Sequence, residues 1–285
     1  MFSDIGIKNY YQKKKVIEKY NKVVDDAVIV CNNKIIHQDR KRIHAVLGIT
    51  KDLNEKGRFF SSLTNVRKDE RKKITINGNP VVELDFSCCF LGIAYHLQGV
   101  DVKKDDLYSV DGFSSEYRQT IKNITNITLN FSTFKPLHAT LSTQMNDFRA
   151  NAKAETVKAK KENRKPDFRY LKGIYCPPNS EDVPNIGIIS AVTTKLRESP
   201  IAGLLFQGYR TNYLGHKVSD AVGNRLMYHE SNIAQKIISH FAEQNIVCLC
   251  VHDSYLVETQ HKAELRNCMM KFYREETGFD PIGIT

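Results

Sequence analysis

The sequence predicts an α+β fold, and three observations carry that prediction. Short β-branched and apolar runs, VVELDF at 81–86 and IVCLCV at 246–251, are each bounded by turn-forming or polar residues, as buried strands are. Longer stretches with apolar residues at three- and four-residue spacing separate them, which is the helical pattern. Of the 285 residues 41% are hydrophobic and 26% charged, the balance of a globular chain with material for a real core. That length allows one large or two small domains.

The elements follow in order. The chain to about Asn54 reads as helices, through KKKVIEKYNKVVDDAVIV and then the basic stretch DRKRIHAVLGI. Asn77, Gly78, Asn79 and Pro80 signal a turn, VVELDF after them a buried strand, and LGIAYHL a helix packed on it. Residues 114–132 read two ways: their Ile and Thr favour a strand, while Arg118 and Lys122 are spaced for a helix. Residues 146–169 are polar and basic, with Lys160, Lys161, Arg164 and Lys165 clustered, and read as a solvated helix or an insertion. SNIAQKIISHFAEQ is helical, and IVCLCV and YLVE flank His252 and Asp253 as a β-hairpin with Asp253 at its tip. An amphipathic helix closes the chain over HKAELRNCMMKFYREETGF.

Lys and Arg number 42 against 32 Asp and Glu, a net charge of +10 that favours a polyanionic partner. No apolar stretch approaches the ~18 residues of a spanning helix, so no membrane partner is expected. The start, MFSDIGIKNYYQKKK, lacks the order of a signal peptide, which predicts a cytoplasmic chain, or one in a host's cytoplasm if viral. The seven cysteines show no CxxC pair and read as reduced, buried small residues. Cys88, Cys89, Cys248 and Cys250 flank two aspartates, but CC and CxC spacings chelate zinc poorly.

Those two aspartates are the chemistry-bearing pair. Asp85 ends a strand and Asp253 tips a hairpin, so one sheet can aim both carboxylates at a common point, where hard oxygen ligands suit Mg²⁺. Capping of turns is the plainer use of such residues. Arg118, Lys122, Asn126 and Asn130 recur at steps of four, one stripe if helical, spanning about 18 Å at ~1.5 Å per residue. That suits a nucleoside triphosphate, with cations on its phosphates; a solvated basic face is the alternative. Arg58, Arg67, Arg71, Lys72 and Lys73 precede the first strand and can neutralise nucleic-acid phosphates or simply be solvated. Glu230 and Ser231 can orient primer or template, or lie on a helix surface.

VVELDFSCCFLGIAYHL, RQTIKNITNITLNFST and CLCVHDSYLVE resemble, in order, motifs A, B and C of family A DNA polymerases and single-subunit RNA polymerases. The third is the most specific, with Val-His-Asp and a Glu, Glu258, five residues beyond the Asp; Ser254 there is what the RNA enzymes carry. The first keeps Asp85, Phe86 and Ser87, and DDLYS at 105–109 stands where those enzymes have an Asp-Ile-His segment.

The resemblance implies a palm with an antiparallel sheet, helical fingers and a reduced, helical, thumb-like N-terminal segment, in a minimal form suited to a phage or mobile element. It divides the chain into 1–74 (thumb-like), 75–113 (palm), 114–240 (fingers and insertion) and 241–285 (palm). Asp85, Asp253 and the Phe86 carbonyl would hold two Mg²⁺ ions, for which Mn²⁺ can substitute. Lys122 and Arg118 would grip the incoming deoxynucleoside triphosphate, and His252 would approach the primer end. The implied function is a DNA polymerase, a nucleotidyltransferase extending a primer on a DNA template without proofreading, since only 84 residues precede Asp85. Whatever grips the duplex is then small or belongs to an accessory protein.

The motifs also depart from the family. Asn126 and Asn130 stand where an aromatic and a Tyr are usual, and Phe90 replaces the Glu five residues past Asp85. A bulky Phe90 against the sugar predicts a preference for deoxynucleotides; a Phe90 buried in the core predicts none. The rival readings are a primase or RNA polymerase, a two-metal nuclease, and a catalytically silent nucleic-acid-binding module.

Overall fold

The computed structural model describes residues 4–32, 34–35, 58–59, 62–102, 106–169, 171–177, 185–211, 217–219 and 221–285. Its elements in order are helix α1 (Asp4–Asp25), strands β1 (Ile29–Cys31) and β2 (Lys34–Ile35), helix α2 (Lys68–Arg71), strands β3 (Thr75–Ile76) and β4 (Asn79–Asp85), and helix α3 (Cys89–His96). Three helices follow, α4 (Arg118–Leu129), α5 (Lys135–Lys161) and α6 (Asn185–Arg197), then strands β5 (Tyr209–Thr211) and β6 (Lys217–Ser219). Helix α7 (Val222–Glu243), strands β7 (Leu249–Val251) and β8 (Ser254–Glu258) and helix α8 (Lys262–Thr277) complete a mixed α+β chain.

The chain forms two compact units. The first holds Met1–Asp105, Thr211–Lys217 and Asn224–Thr285. Its frame is a six-stranded sheet in the order β2-β1-β3-β4-β8-β7, with each of these neighbours antiparallel. The β3–β4 turn is the one the Asn-Gly pair predicts: Asn77 (φ 52°) and Gly78 (φ 84°) both take the positive φ of a two-residue hairpin loop. Tyr255, Leu256 and Val257 of β8 are fully buried, as in a strand covered on both faces. Helix α8 packs on β4 and β8, and Ile233, Ile237, Ile238 and Phe241 bury the apolar stripe of α7.

The N-terminal helix ends sooner than its sequence pattern suggests. It stops at Asp25, and the β-branched run Val28–Val30 enters β1, where Ile29 pairs with Ile76 and Val30 with Thr75. Sheet pairing outweighs the helical spacing there, because Ile29 becomes almost completely buried. The basic stretch DRKRIHAVLGI lies outside the described residues. IVCLCV enters the sheet only from Leu249, though Val247 and Cys248 are buried before it.

The second unit holds Asp106–Arg210 and Val218–Gly223. The two-way segment 118–129 is a helix, α4, whose buried side is Thr120, Ile121, Ile124, Thr125, Thr128 and Leu129. Those residues, β-branched apart from Leu129, fall on one helical face against α6, and burial on that face outweighs the modest helix propensity of Ile and Thr. Two of the hydroxyls are satisfied: Thr128 donates to the Ile124 carbonyl in its own helix (2.8 Å) and Thr120 to the Tyr175 carbonyl, 55 residues away (2.6 Å). Helix α5 begins with Pro136 in its first turn and buries Leu137, Leu141, Met145 and Phe148; after them only Ala159 is buried. Of the basic stretch 146–169 expected as a solvated helix or insertion, the part to Lys161 is the solvated end of α5, and residues 162–169 follow it outside any helix or strand. Gly173 (φ 103°) closes against this helix, where a Cβ would meet the Gln144 carbonyl oxygen and the Phe148 amide nitrogen.

All seven cysteines are buried and unbridged. No helix among the described residues is long and apolar enough to cross a membrane.

Candidate active site

The site begins where β4 ends. Asp85 lies opposite Ser254 in the β4–β8 register, and one step on the Phe86 amide donates to the Asp253 carbonyl at 3.2 Å. The strand end and the hairpin tip expected from the sequence are therefore adjacent. Two residues beside them carry left-handed backbone, Cys88 (φ 53°) after the strand and His252 (φ 58°) in the hairpin turn. Such conformations are uncommon in non-glycine residues and cost of order 1–3 kcal/mol each, so the surrounding packing must hold them.

The chain's last residues hold the strand end from the other side. Asp85 and Thr285 exchange both amide hydrogen bonds (2.9 and 3.0 Å), and the Ser87 amide donates to Gly283 (2.9 Å). Successive peptide groups of a strand point to opposite edges, so the Phe86 carbonyl faces the hairpin tip rather than the tail. Ile282 lies over Gly92 of α3, close enough that a Cβ there would sit 2.9 Å from its Cδ1.

Charges around this point are closely arranged. The Lys68 ammonium sits 3.0 Å from Asp85 Oδ2, with its side chain more than half exposed. Glu83, two residues before Asp85 and so on the same face of β4, accepts from Arg71 (2.6 and 3.2 Å) and from the Ser254 hydroxyl. Burial pushes the Glu83 carboxyl up, but the Arg71 and Ser254 hydrogen bonds and the nearby cations pull it further, leaving it below its ordinary value. Deeper in, Glu230 is 2% exposed and clamped by Arg58, Nε to Oε1 at 3.0 Å and Nη2 to Oε2 at 2.6 Å. Burial raises Glu230 to about 7 against the pull of Arg58, and the charge of Asp253 adds to the rise. His252 is lowered to about 4 by burial and by the cations of Arg58 and Arg71, so its ring is neutral at pH 7.

This arrangement revises several sequence expectations. Arg58 and Arg71 are tied to buried or nearly buried carboxylates, whereas Arg67, Lys72 and Lys73 lie on the surface. Glu230 and Ser231 are interior rather than on a helix surface; Ser231 donates to the Tyr228 carbonyl in its own helix at 2.7 Å. Phe90 is partly buried and not among the fully buried residues of α3, and its ring lies 4.6 Å from the Arg58 guanidinium carbon. A Phe90 fully buried in the core is thereby excluded.

In the second unit, Arg118 and Lys122 both stand on α4 over the ring of the buried Tyr108, at 5.5 and 5.9 Å. Arg118 also pairs with Asp106 at 2.7 Å. Both partners belong to the 105–109 segment singled out in the sequence, of which Asp105 lies outside the described residues. Asn130 turns back to cap its own helix, donating to the Asn126 carbonyl at 2.7 Å, and Gly223 packs against its side chain with no room for a Cβ. The Asn126 side-chain oxygen is buried with no partner among the described residues. An open groove of about 1050 Å³ runs along the other side of Arg118, lined by Gln119, Asn123, Lys165, Phe168 and Tyr175 among others.

The structure adds residues that sequence reasoning passed over: Lys68, Glu83, the Arg58–Glu230 clamp and the tail from Ile282 to Thr285. Period-two alternation from Asp85 could have found Glu83. The clamp leaves no such trace, because its members are 172 residues apart.

The donor chemistry fits a divalent ion of the Mg²⁺ type. Among the described residues no group of three or more His, Cys, Asp or Glu is gathered to hold a metal. Mg²⁺, however, is commonly held by one or two carboxylates with water and substrate phosphates completing its shell. Lys68 marks the position on Asp85 where a cation is welcome, and an exposed ammonium swings away at a cost of ~1 kcal/mol or less.

No protein-family model matches the chain, and no curated protein matches it. Among solved structures it is similar to the POL domain of Pol1 from M. smegmatis, in complex with DNA primer-template and dNTP, at 14% identity and a TM-score of 0.43. The match covers 99% of this chain and 51% of the other, so the chain spans about half the length of the protein it resembles.

Proposed function

We propose that the protein is a template-directed nucleotidyltransferase of the DNA polymerase type, extending a primer 3′-hydroxyl with deoxynucleotides. The observation that carries the reading is that the end of β4 and the hairpin tip are neighbours, Asp85 opposite Ser254 and the Phe86 amide on the Asp253 carbonyl, within the ordered motifs named above. Asp85, Asp253 and the Phe86 carbonyl are the residues that would hold Mg²⁺. When bound, the ions supply Lewis-acid stabilisation of the attacking and leaving oxygens.

The protein's own groups divide the remaining work. The 3′-hydroxyl attacks the α-phosphate, the bond to the β-phosphate breaks, and pyrophosphate leaves. Lys122 and Arg118 neutralise the triphosphate, and Tyr108 beneath both holds them on one side of α4. Neutral His252 offers a hydrogen bond without a charge near the metal-binding carboxylates. The Phe90 ring, held by Arg58, faces the sugar and disfavours a 2′-hydroxyl, which it cannot hydrogen-bond.

A labelled primer on a DNA template, incubated with Mg²⁺ and either nucleotide set, tests the reading. Growth of the primer by the wild type, abolished in Asp85→Ala and in Asp253→Ala while template binding persists, is the expected result. Shortening of the primer would instead identify a nuclease, and wild-type extension by either variant would end the assignment.

A further inference from the structure

We infer that the solvated end of α5, with Lys158, Lys160 and Lys161 in its last turns and Lys165 just beyond, is a docking surface for the phosphodiester backbone of nucleic acid. It lies outside the residues assigned to chemistry above and rests on charge and exposure alone.

The core does not require this part of the helix. Between Phe148 and the helix end only Ala159 is buried, so more than two turns project with their side chains largely in solvent. The segment's carboxylates are already used. Glu155 and Glu162 both pair with Arg164, at 2.6 and 2.7 Å, and Glu155 also accepts the Asp167 amide at 3.1 Å. Arg164 pairs with both acids of residues 152–165, which carry five lysines and one arginine against two glutamates, a net +4, and Lys158, Lys160, Lys161 and Lys165 are all exposed. Lys158 and Lys161 stand about 60° apart around the helix and about 4.5 Å apart along it, while Lys160 is turned about 100° from Lys161, so the long side chains surround the helix end with charge that nearby phosphates can meet from more than one side.

Two alternative roles for these lysines fit less well. Cations in a last turn favour the helix macrodipole, but that effect fades within the turn and does not reach Lys165 beyond it. An anionic membrane surface would need a broad apolar face beside the lysines. The exposed part of this helix end offers one large apolar side chain, Val157, among alanine and threonine.

The test is the salt dependence of binding, read by fluorescence anisotropy of a labelled duplex and of a labelled single strand. A triple variant, Lys158→Gln with Lys160→Gln and Lys161→Gln, is compared with a triple of equal charge loss elsewhere, Lys22→Gln with Lys262→Gln and Lys271→Gln. The slope of log K against log salt should become shallower by about 2 to 3 for the α5 variant on duplex, roughly 0.9 for each phosphate no longer neutralised. The control triple should change it little, and Lys→Arg at the three α5 positions should keep the wild-type slope. Melting temperatures of all variants should stay within a few degrees of wild type, since exposed Lys and Gln have similar helix propensity and each last-turn charge contributes only modestly to stability. An unchanged slope, or equal loss in the control, overturns the inference. Loss of binding to phosphatidylserine vesicles with unchanged nucleic-acid binding overturns it in favour of a membrane. Primer extension with the wild type is run in parallel, so failure of the catalytic reading is seen separately.

Discussion

Replacing Arg58 by Ala should destabilise the protein far more at pH 8 than at pH 5. Glu230 stands at about 7 in the folded chain against an ordinary 4.5, because burial outweighs the attraction of Arg58. Between those values the folded chain binds the proton more tightly than the unfolded one, so this residue's contribution to stability falls as pH rises through the window. At ~1.4 kcal/mol for each pH unit, the ionised carboxylate already costs about 3 kcal/mol above pH 7 and nothing below 4.5. Removing Arg58 takes away the cation that lowers it, and breaking a buried pair adds about 3–5 kcal/mol at pH 8. At pH 5 the carboxyl is protonated, and only hydrogen bonds and the packing against Phe90 disappear, about 1–2 kcal/mol. His252, which Arg58 also holds down, works in the same direction: relieving it lessens the acid-side loss in the variant. Urea unfolding at both pH values, for wild type, Arg58→Ala, Glu230→Gln and the double variant, measures this. Glu230→Gln removes the titrating carboxyl, so its stability relative to wild type should rise by about 3 kcal/mol from pH 5 to pH 8, and Arg58→Ala made in that background should show a smaller excess loss at pH 8. Equal losses for Arg58→Ala at pH 5 and pH 8 would refute the reasoning.

Three further outcomes are expected. Tyr255→Phe should be neutral or stabilising by about 1 kcal/mol in denaturant melts, because the buried Tyr255 hydroxyl has no hydrogen-bond partner among the described residues. Gly173→Ala should destabilise by about 2 kcal/mol or more, since its Cβ would strike backbone of α5 at a φ that side chains rarely adopt. Phe90→Ala should cost less than the ~3–5 kcal/mol of a core phenylalanine while raising ribonucleotide incorporation, measured by single-nucleotide extension beside the melting temperature.

What the sequence made legible was local. Asn77-Gly78 was readable because a two-residue turn writes its φ requirements into adjacent positions, and the hairpin around Asp253 because apolar runs bracket it on both sides. The pairing of Asp85 with that hairpin was inferable because both sit at the ends of apolar runs. The α4 segment could not be settled, since Ile and Thr favour a strand locally and only burial against α6 selects the helix. Glu230 and Ser231 were misplaced for a related reason: a polar residue in a helix reads as surface until its partner is known. Arg58 lies too far away in sequence to announce itself as that partner.

The sheet order has a consequence for how the molecule is made. Strand β4, carrying Asp85, is flanked by β3, which precedes it across a tight turn, and by β8, whose Ser254 meets Glu83 across 171 residues of chain. One side of β4 can therefore close at once, while the other waits for 171 further residues. Pairings of such sequence separation slow folding, and a strand edge kept open meanwhile invites pairing with other chains. During synthesis the edge destined for β8 must stay shielded or solvated until the last elements emerge. The two aspartates become neighbours only in that late step, so a nascent or truncated chain lacking β8 carries half of the centre and none of its geometry.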